Sequence, residues 1–272
     1  MRVYGVDFTS APKARKPITV AQGYLEGNIL TVERIEAIKS FESFEEFLLR
    51  PGPWIAGFDF PFGIPREAAV AIGWPVTWKA LVKKCEKIGR SGFTLESDTL
   101  RESRPKGKKY PKRQGDDAAK SHSPMKCVQP PVGWMFVEGA PRLLRAGVSI
   151  PRMLDGDPAR IAVEAYPGHA ARAAIGRRSY KHDQPSKQGP ARRNARKVLL
   201  AAMQSTRNST GIRLAATTSL LAEMNSDGTG DLLDAAICAL QAAWALQRRA
   251  TGYGLPAQMD PLEGWIVTVP GP

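Results

Sequence analysis

A chain of 272 residues with 43% hydrophobic residues can bury a sizeable core, which excludes disorder throughout. It contains no run of about 18 apolar residues, and its opening, Met1-Arg2-Val3-Tyr4-Gly5-Val6-Asp7, reaches an acid without the apolar segment of a signal peptide; the expectation is a cytoplasmic protein without a membrane span. The formal charge of +13 points to polyanionic partners, nucleic acid foremost, and its uneven distribution sharpens that expectation.

Taken in chain order, Arg2 to Phe8 reads as a short apolar strand ending in an aspartate, Asp7. Pro17 to Tyr24 and Ile29 to Ile38 read as two further strands, with Glu26-Gly27-Asn28 as the turn of a hairpin. Ser40 is placed to cap a helix carrying Phe41, Phe44, Phe47 and Leu48 at helical spacing, and Pro51-Gly52-Pro53 stops it. Trp54 to Phe60 is a second apolar strand that runs into an aspartate, Asp59. From Gly63 to about Asp157 the pattern changes to helical stretches, near Thr77 to Ile88 and Trp134 to Ala146, around a basic Pro- and Gly-rich segment; this reads as an insertion into a single domain spanning residues 1–272. Strand and helix alternate again afterwards: Arg160 to Tyr166 as a strand holding Glu164, helices to Ile175 and over Ala191 to Met203, and the clearest helix of the chain at Asp231 to Arg249. The order predicts a mixed α/β sheet covered by helices, with sites at the carboxyl ends of its strands.

The excess charge lies in two stretches. Arg101 to Lys126 carries nine basic residues against three acids, and Arg172 to Lys197 carries nine against one, so the remainder is near neutral. Lys106, Lys108, Lys109, Lys112 and Arg113 in the first, and Arg177, Arg178, Arg192, Arg193 and Arg196 in the second, are the candidate contacts to a nucleic-acid backbone, DNA or RNA. A solvated basic loop is the competing reading. Cys85, Cys127 and Cys238 are widely spaced without a CxxC pair, which suggests neither a disulfide framework nor a cysteine zinc site.

Asp7, Asp59 and Glu164 fall at or near strand ends, and Asp231 and Asp234 lie three residues apart on one face of the first turn of the last helix. Carboxylates converging beside an apolar sheet repel one another unless a cation joins them. Mg²⁺ or Mn²⁺ suits such hard oxygen ligands. Asp7, Asp59 and Asp234 are the expected ligands, with Asp231 or Glu164 in support, and the set has enough oxygens for two ions about 3.5–4 Å apart, the arrangement that hydrolyses phosphodiesters. Taken singly, Asp231 also suits a first-turn acid, and Glu164 a salt bridge to Arg160 or Arg172. Asp234 stands inside an apolar run, which a capping role does not explain.

The motifs Gly5-Val-Asp-Phe-Thr-Ser-Ala-Pro12, Gly57-Phe-Asp-Phe-Pro-Phe-Gly63, Glu164-Ala-Tyr-Pro167, Asp231-Leu-Leu-Asp-Ala-Ala-Ile-Cys-Ala239 and Glu263-Gly-Trp-Ile266 resemble the motif series of domain-of-unknown-function family 429 over nearly the whole chain. That family is grouped with predicted nucleases of the ribonuclease H-like fold, so the resemblance implies that fold and a metal-dependent nuclease. The Asp231/Asp234 pair is also similar to the last-helix acidic pair of Holliday-junction resolvases, and Asp7 to their first-strand aspartate. None of Glu42, Glu45 and Glu46 is marked as the helix carboxylate that ribonucleases H place in the site; Glu164 is the substitute.

Other chemistry is weaker. His122, His169 and His182 show no zinc spacing, and only His169 lies near the proposed site in sequence. Ser123-Pro-Met-Lys126 matches an SxxK pattern without its companion motifs, and no P-loop or GxGxxG occurs. A phosphotransferase of the actin and sugar-kinase superfamily is the rival enzyme, although Phe8 replaces the glycine that lets backbone approach phosphate. A catalytically silent nucleic-acid-binding module is the rival from another class.

Overall fold

The computed structural model describes residues 1–271. Its centre is a seven-stranded mixed sheet, built from β1 (Arg2–Asp7), β2 (Ile18–Glu26), β3 (Ile29–Ile38), β4 (Trp54–Phe58), β5 (Val148–Ser149), β6 (Asp157–Glu164) and β7 (Arg213–Ala215) in the spatial order β5-β6-β4-β1-β2-β3-β7. The strand pairs β1–β2 and β2–β3 are antiparallel, and the other four neighbouring pairs are parallel. The hairpin expected at Gly27 forms, with that glycine at φ 55°. β1 and β4 run side by side and in register, so their carboxyl ends stop at the same level, and the Asp59 N–H donates to the Val6 carbonyl at 2.9 Å.

Helices cover both faces of the sheet. One face packs against α1 (Phe41–Leu48), α3 (Trp78–Ser103) and α5 (Val132–Ala146), through Phe44, Phe47, Phe93 and Phe136 among others. Ser40 caps α1 as its position implied, accepting from the Ser43 N–H at 3.2 Å. The other face packs against α6 (Pro167–Ile175), α7 (Pro190–Met203), α8 (Thr218–Ser226) and α9 (Asp231–Gln247). Two short helices, α2 (Arg66–Ala71) and α4 (Gln114–Ala119), complete the segment between β4 and β6. The helix expected over Thr77 to Ile88 does break after Ile88, because Gly89 takes φ 61° and ψ −169°, but a second helical run resumes at once and reaches Ser103. Membrane-spanning helices are not found: among the described residues no helix is long and apolar enough to cross a bilayer.

The position of α9 fixes the site. It is apolar nearly all round and rich in alanine, the composition of a helix buried within a protein. Small side chains let its backbone lie directly on the sheet. A Cβ on Gly5 would stand 2.0 Å from the Ala235 carbonyl oxygen and 2.1 Å from the Ala239 nitrogen, and one on Gly57 would stand 2.5 Å from the Cys238 carbonyl oxygen. Only glycine permits that approach. In a strand, residues i and i+2 face the same side. Gly5 and Asp7, and likewise Gly57 and Asp59, therefore face α9 together, with each aspartate one step further along its strand. Asp231 and Asp234 stand at that end of α9, in its first turn.

Candidate active site

Four aspartates meet where β1, β4 and the N-terminal turn of α9 converge. Asp7 and Asp231 are each 8% exposed, Asp234 has no exposure, and Asp59 is partly buried. The carboxylates act on one another: Asp7 feels Asp231, Asp234 and Asp59, and Asp59 feels Asp234 and Glu164. Burial drives the Asp7 carboxyl well above its ordinary range, and it pushes Asp59 to about 7. Repulsion by the neighbouring carboxylates adds to both shifts, while Lys181 opposes them.

Two lysines enter the cluster. Lys181 donates to the Asp234 Oδ2 atom, and the Tyr180 hydroxyl donates to Asp234 Oδ1 at 2.5 Å. The Lys181 side chain as a whole is 41% exposed, while the carboxylate its ammonium meets has no exposure. Burial works against that ammonium, but Asp234, Asp7 and Asp59 outweigh it and hold Lys181 well above the usual lysine range. Lys16, from the loop between β1 and β2, donates to both oxygens of Asp231 at 3.1 and 3.3 Å and to Asp183 at 3.0 Å. Below the helix, Asp227 accepts from the Leu232 N–H at 3.0 Å and from the Thr229 N–H at 3.0 Å, fixing the turn that launches α9.

Among the described residues no group of three or more His, Cys, Asp or Glu side chains is placed to hold a metal ion as the side chains stand. Both α9 carboxylates already carry a cation, Asp234 that of Lys181 and Asp231 that of Lys16. The donor set nevertheless fits a hard divalent cation. Asp7 and Asp59 accept no hydrogen bond from a described residue, and the enclosed polar side-chain atoms without a partner lie elsewhere, on Trp74, Arg142 and Asn225. Two unpartnered carboxylates at the mouth of a buried acidic cluster are suitable ligands for Mg²⁺ or Mn²⁺.

Glu164 is not one of them. It is 4% exposed and occupied by Arg113, whose guanidinium donates to its two oxygens at 2.6 and 2.8 Å, while the Phe62 N–H donates to it at 2.9 Å. The partner is thus neither Arg160, which pairs with Asp157, nor Arg172, which donates to the Ala119 carbonyl. Arg113 also binds Asp116 and, at 2.8 Å, the Glu263 carbonyl. Its 2% exposure takes it out of the set of surface cations for nucleic acid. Arg196, equally buried, is removed for the same reason, since it donates to the carbonyls of Tyr180 and Asn225. Lys106, Lys108, Lys112, Arg177, Arg178 and Arg193 are exposed; Lys109 and Arg192 are half-buried, and Arg192 is tied to Ser179 and the Lys187 carbonyl. Lys112 lies 3.6 Å from Asp117, an exposed pair of little energetic weight. His169 is half-buried, and burial together with Arg172 lowers its pKa.

A cleft of about 560 Å³ opens beside the aspartates, sharing Asp59 and Lys181 with them and carrying Arg172, Arg177 and Arg178 among its lining. The basic stretch after α6 therefore reaches the acidic cluster.

The pH response of the metal-free protein follows from Asp7 and Asp59. A carboxyl whose folded-state pKa is raised binds its proton more tightly in the folded state, so its contribution to stability is complete below the ordinary value of 3.8 and is lost as pH rises through the folded value, about 7 for Asp59. With chelator present, the melting temperature is expected to fall as pH rises from about 5 to 8. Saturating Mn²⁺ should flatten that fall, because the ion takes the place of the protons. A chelated melting temperature that stays flat over this interval would show these carboxyls to be ordinary.

No curated protein and no solved structure gives a significant match to the chain. The model of the family described as a protein of unknown function (DUF429) matches residues 5–258, which takes in the Gly5 and Gly57 motifs, Glu164 and the α9 aspartates, and the chain belongs to that family.

Proposed function

We propose that the protein is a divalent-metal-dependent nuclease of ribonuclease H-like fold, hydrolysing phosphodiester bonds in nucleic acid. The observation that carries this reading is the convergence of three buried aspartates and the partly buried Asp59 at the ends of β1 and β4 and the start of α9, two of the four without a partner among the described residues, beside a cleft with arginines in its wall. The mixed sheet with helices on both faces and carboxylates at the ends of adjacent parallel strands supports the fold assignment. The kinase-like alternative has less support, since Phe8 is 4% exposed and packs into an aromatic cluster with Phe44 and Phe60, leaving no glycine turn for a nucleotide phosphate.

The lysines alter the expected stoichiometry. Lys181 already occupies Asp234, and Lys16, shared with Asp183, occupies Asp231, so Asp7 and Asp59 are the two carboxylates left without a partner among the described residues, two formal charges that one divalent cation neutralises. We therefore assign one Mg²⁺ or Mn²⁺, which Asp7 and Asp59 would hold with Asp234, where the sequence left room for two. When bound, the ion would supply Lewis-acid polarisation of the phosphate and activation of a water. The residues of the chain do the rest. Asp59 and Lys181 face the cleft together, so Lys181 has the position from which an ammonium neutralises charge developing on a phosphate oxygen, and Tyr180 holds Asp234 in place behind it. Arg177 and Arg178 orient the strand by its backbone, a role that makes affinity fall steeply with salt.

The test is a cleavage assay on labelled single-stranded, duplex, hybrid and branched DNA and RNA with chelator, Mg²⁺ or Mn²⁺. Metal-dependent cleavage that disappears in Lys181→Met while Mn²⁺ still binds is the expected result. Cleavage of none of the substrates, with ATP hydrolysis in their place, would favour the kinase reading.

A further inference from the structure

The cleft carries information about which part of a nucleic acid the site takes. Its volume of about 560 Å³ lies in the range of small-molecule pockets. A duplex is too wide for such a space, since its two backbones flank a major groove that is itself about 12 Å across. One nucleotide does. The walls are of two kinds. Tyr166, Val132 and Met135 offer an aromatic and apolar surface, whereas Arg177, Arg178 and Lys181 offer cations, with Asp59 at the junction with the acidic cluster. The first kind suits a base and the second a phosphate. Tyr166 lines the cleft and is half-buried: its ring packs against the core and beside Gly168, with the Arg172 guanidinium 5.7 Å from its centroid, so the ring is held in the cleft wall, and its hydroxyl has no hydrogen-bond partner among the described residues. Neither wall is explained by hydrolysis of a backbone that lies across the protein surface.

We propose that the cleft receives a single unpaired nucleotide of the substrate strand, its base against Tyr166 and its phosphate at Lys181, so that the enzyme acts on single-stranded or locally unpaired nucleic acid and not on continuous duplex. This rests on the nuclease reading for its consequence but not for its test. A base drawn out of a duplex costs a few kcal/mol in lost stacking and pairing, and stacking on an aromatic side chain returns about 1–3 kcal/mol, so an already unpaired nucleotide is favoured. Tyr166 lies outside both basic stretches, so the distribution of charge along the sequence does not point to it.

Binding measured with chelator present separates the proposal from catalysis. Fluorescein-labelled 12-mers of DNA and RNA, single-stranded and as blunt duplexes, are titrated by anisotropy with the full chain, and adenosine and cytidine monophosphates compete with them. Single strands are expected to bind at least tenfold more tightly than duplexes. Tyr166→Leu should weaken single-strand binding by about 5- to 100-fold, the range that one lost stack implies, leave duplex binding unchanged and leave the melting temperature close to that of the parent. Tyr166→Phe should keep full affinity. Equal affinity for single strand and duplex, or a Tyr166→Leu variant that folds and binds single strands as well as the parent, would overturn the proposal. So would tight binding of the free monophosphates with no binding of the strands, which would make the cleft a site for a free nucleotide. Single-strand preference that depends on Tyr166 in a protein that cleaves nothing would uphold the cleft assignment while removing the nuclease reading; cleavage with no strand preference would do the reverse.

Discussion

Arg113→Met is expected to lower stability by about 3–5 kcal/mol, the largest loss we anticipate from a single substitution at an ionised side chain here. The reason is enclosure. Arg113 is 2% exposed, and its two carboxylate partners, Asp116 and Glu164, are 1% and 4% exposed, so removal of the cation leaves two carboxylates facing one another without water. Burial opposes the charge on Arg113, yet Asp116 and Glu164 more than compensate and hold it well above the ordinary arginine range. The bidentate geometry adds directional bonds to the Coulombic gain. Arg113→Met combined with Glu164→Gln should recover part of the loss, because one of the stranded charges is then gone. Urea unfolding of the parent, both single variants and the double variant measures the coupling. A loss below about 1 kcal/mol for Arg113→Met would mean that the triad is solvated and that Glu164 is available for other chemistry.

This triad shows what a sequence conceals. Arg113 looked like one surface cation among nine, and Glu164 like one acid of a metal set, yet the fold brings them together across 51 positions and neutralises both. Composition reports charge but not which charges face inward, and Arg196 is a second case. Lys181 and Lys16 were hidden in the same way. Each enters the acidic cluster from a loop, and a lysine in a loop carries no periodicity that would mark it. Glu263 was visible only as part of a family motif; its carboxylate accepts from the N–H groups of Arg66 and Gln114 at 2.8 and 3.1 Å, joining the starts of α2 and α4 to the C-terminal segment.

The legible parts had a physical cause that acts locally. Gly5 and Gly57 are required because the α9 backbone lies against them, and the aspartates two positions later inherit the same face of the sheet. The repeated Gly-x-Asp-Phe pattern is therefore the trace of one packing event, the seating of an alanine-rich helix on two neighbouring strands. Strands β1 to β4 and helix α1 were readable for the same kind of reason, since turn residues and apolar periodicity are properties of adjacent residues. The two-residue β5 and the three-residue β7 were not, because so short a strand has no alternation to read. Pairing with β6 and β3 decides them.

Asp7→Asn and Asp234→Asn are expected to share one loss and to differ in another. On the proposed metal site both remove a carboxylate ligand, so both should weaken Mn²⁺ binding by about hundredfold or more, beyond the 10- to 100-fold typical of changes one shell further out, and both should reduce the proposed cleavage. Stability without metal separates them. The Asp7 carboxyl is held above its ordinary range by burial and by its acidic neighbours, and none of the described residues donates a hydrogen bond to it, so at neutral pH the amide relieves an unfavourable charge and the melting temperature should hold or rise. Asp234 has the opposite environment. It has no exposure and accepts from both Lys181 and the Tyr180 hydroxyl; an amide there weakens one charge-assisted bond and forces the other to rearrange, a loss of about 2 kcal/mol. From the sequence alone the two aspartates looked equivalent in this respect, and Lys181 is what distinguishes them. Calorimetric Mn²⁺ titration and chelated thermal melts of both variants beside the parent give the two readouts independently. The parent should bind one ion per chain, since Lys181 and Lys16 already occupy both α9 carboxylates, whereas two ions per chain would require both lysines to leave the cluster. Unchanged Mn²⁺ affinity in either variant would place that aspartate outside the metal site, and unchanged affinity in both would leave the acidic cluster held together by its lysines alone.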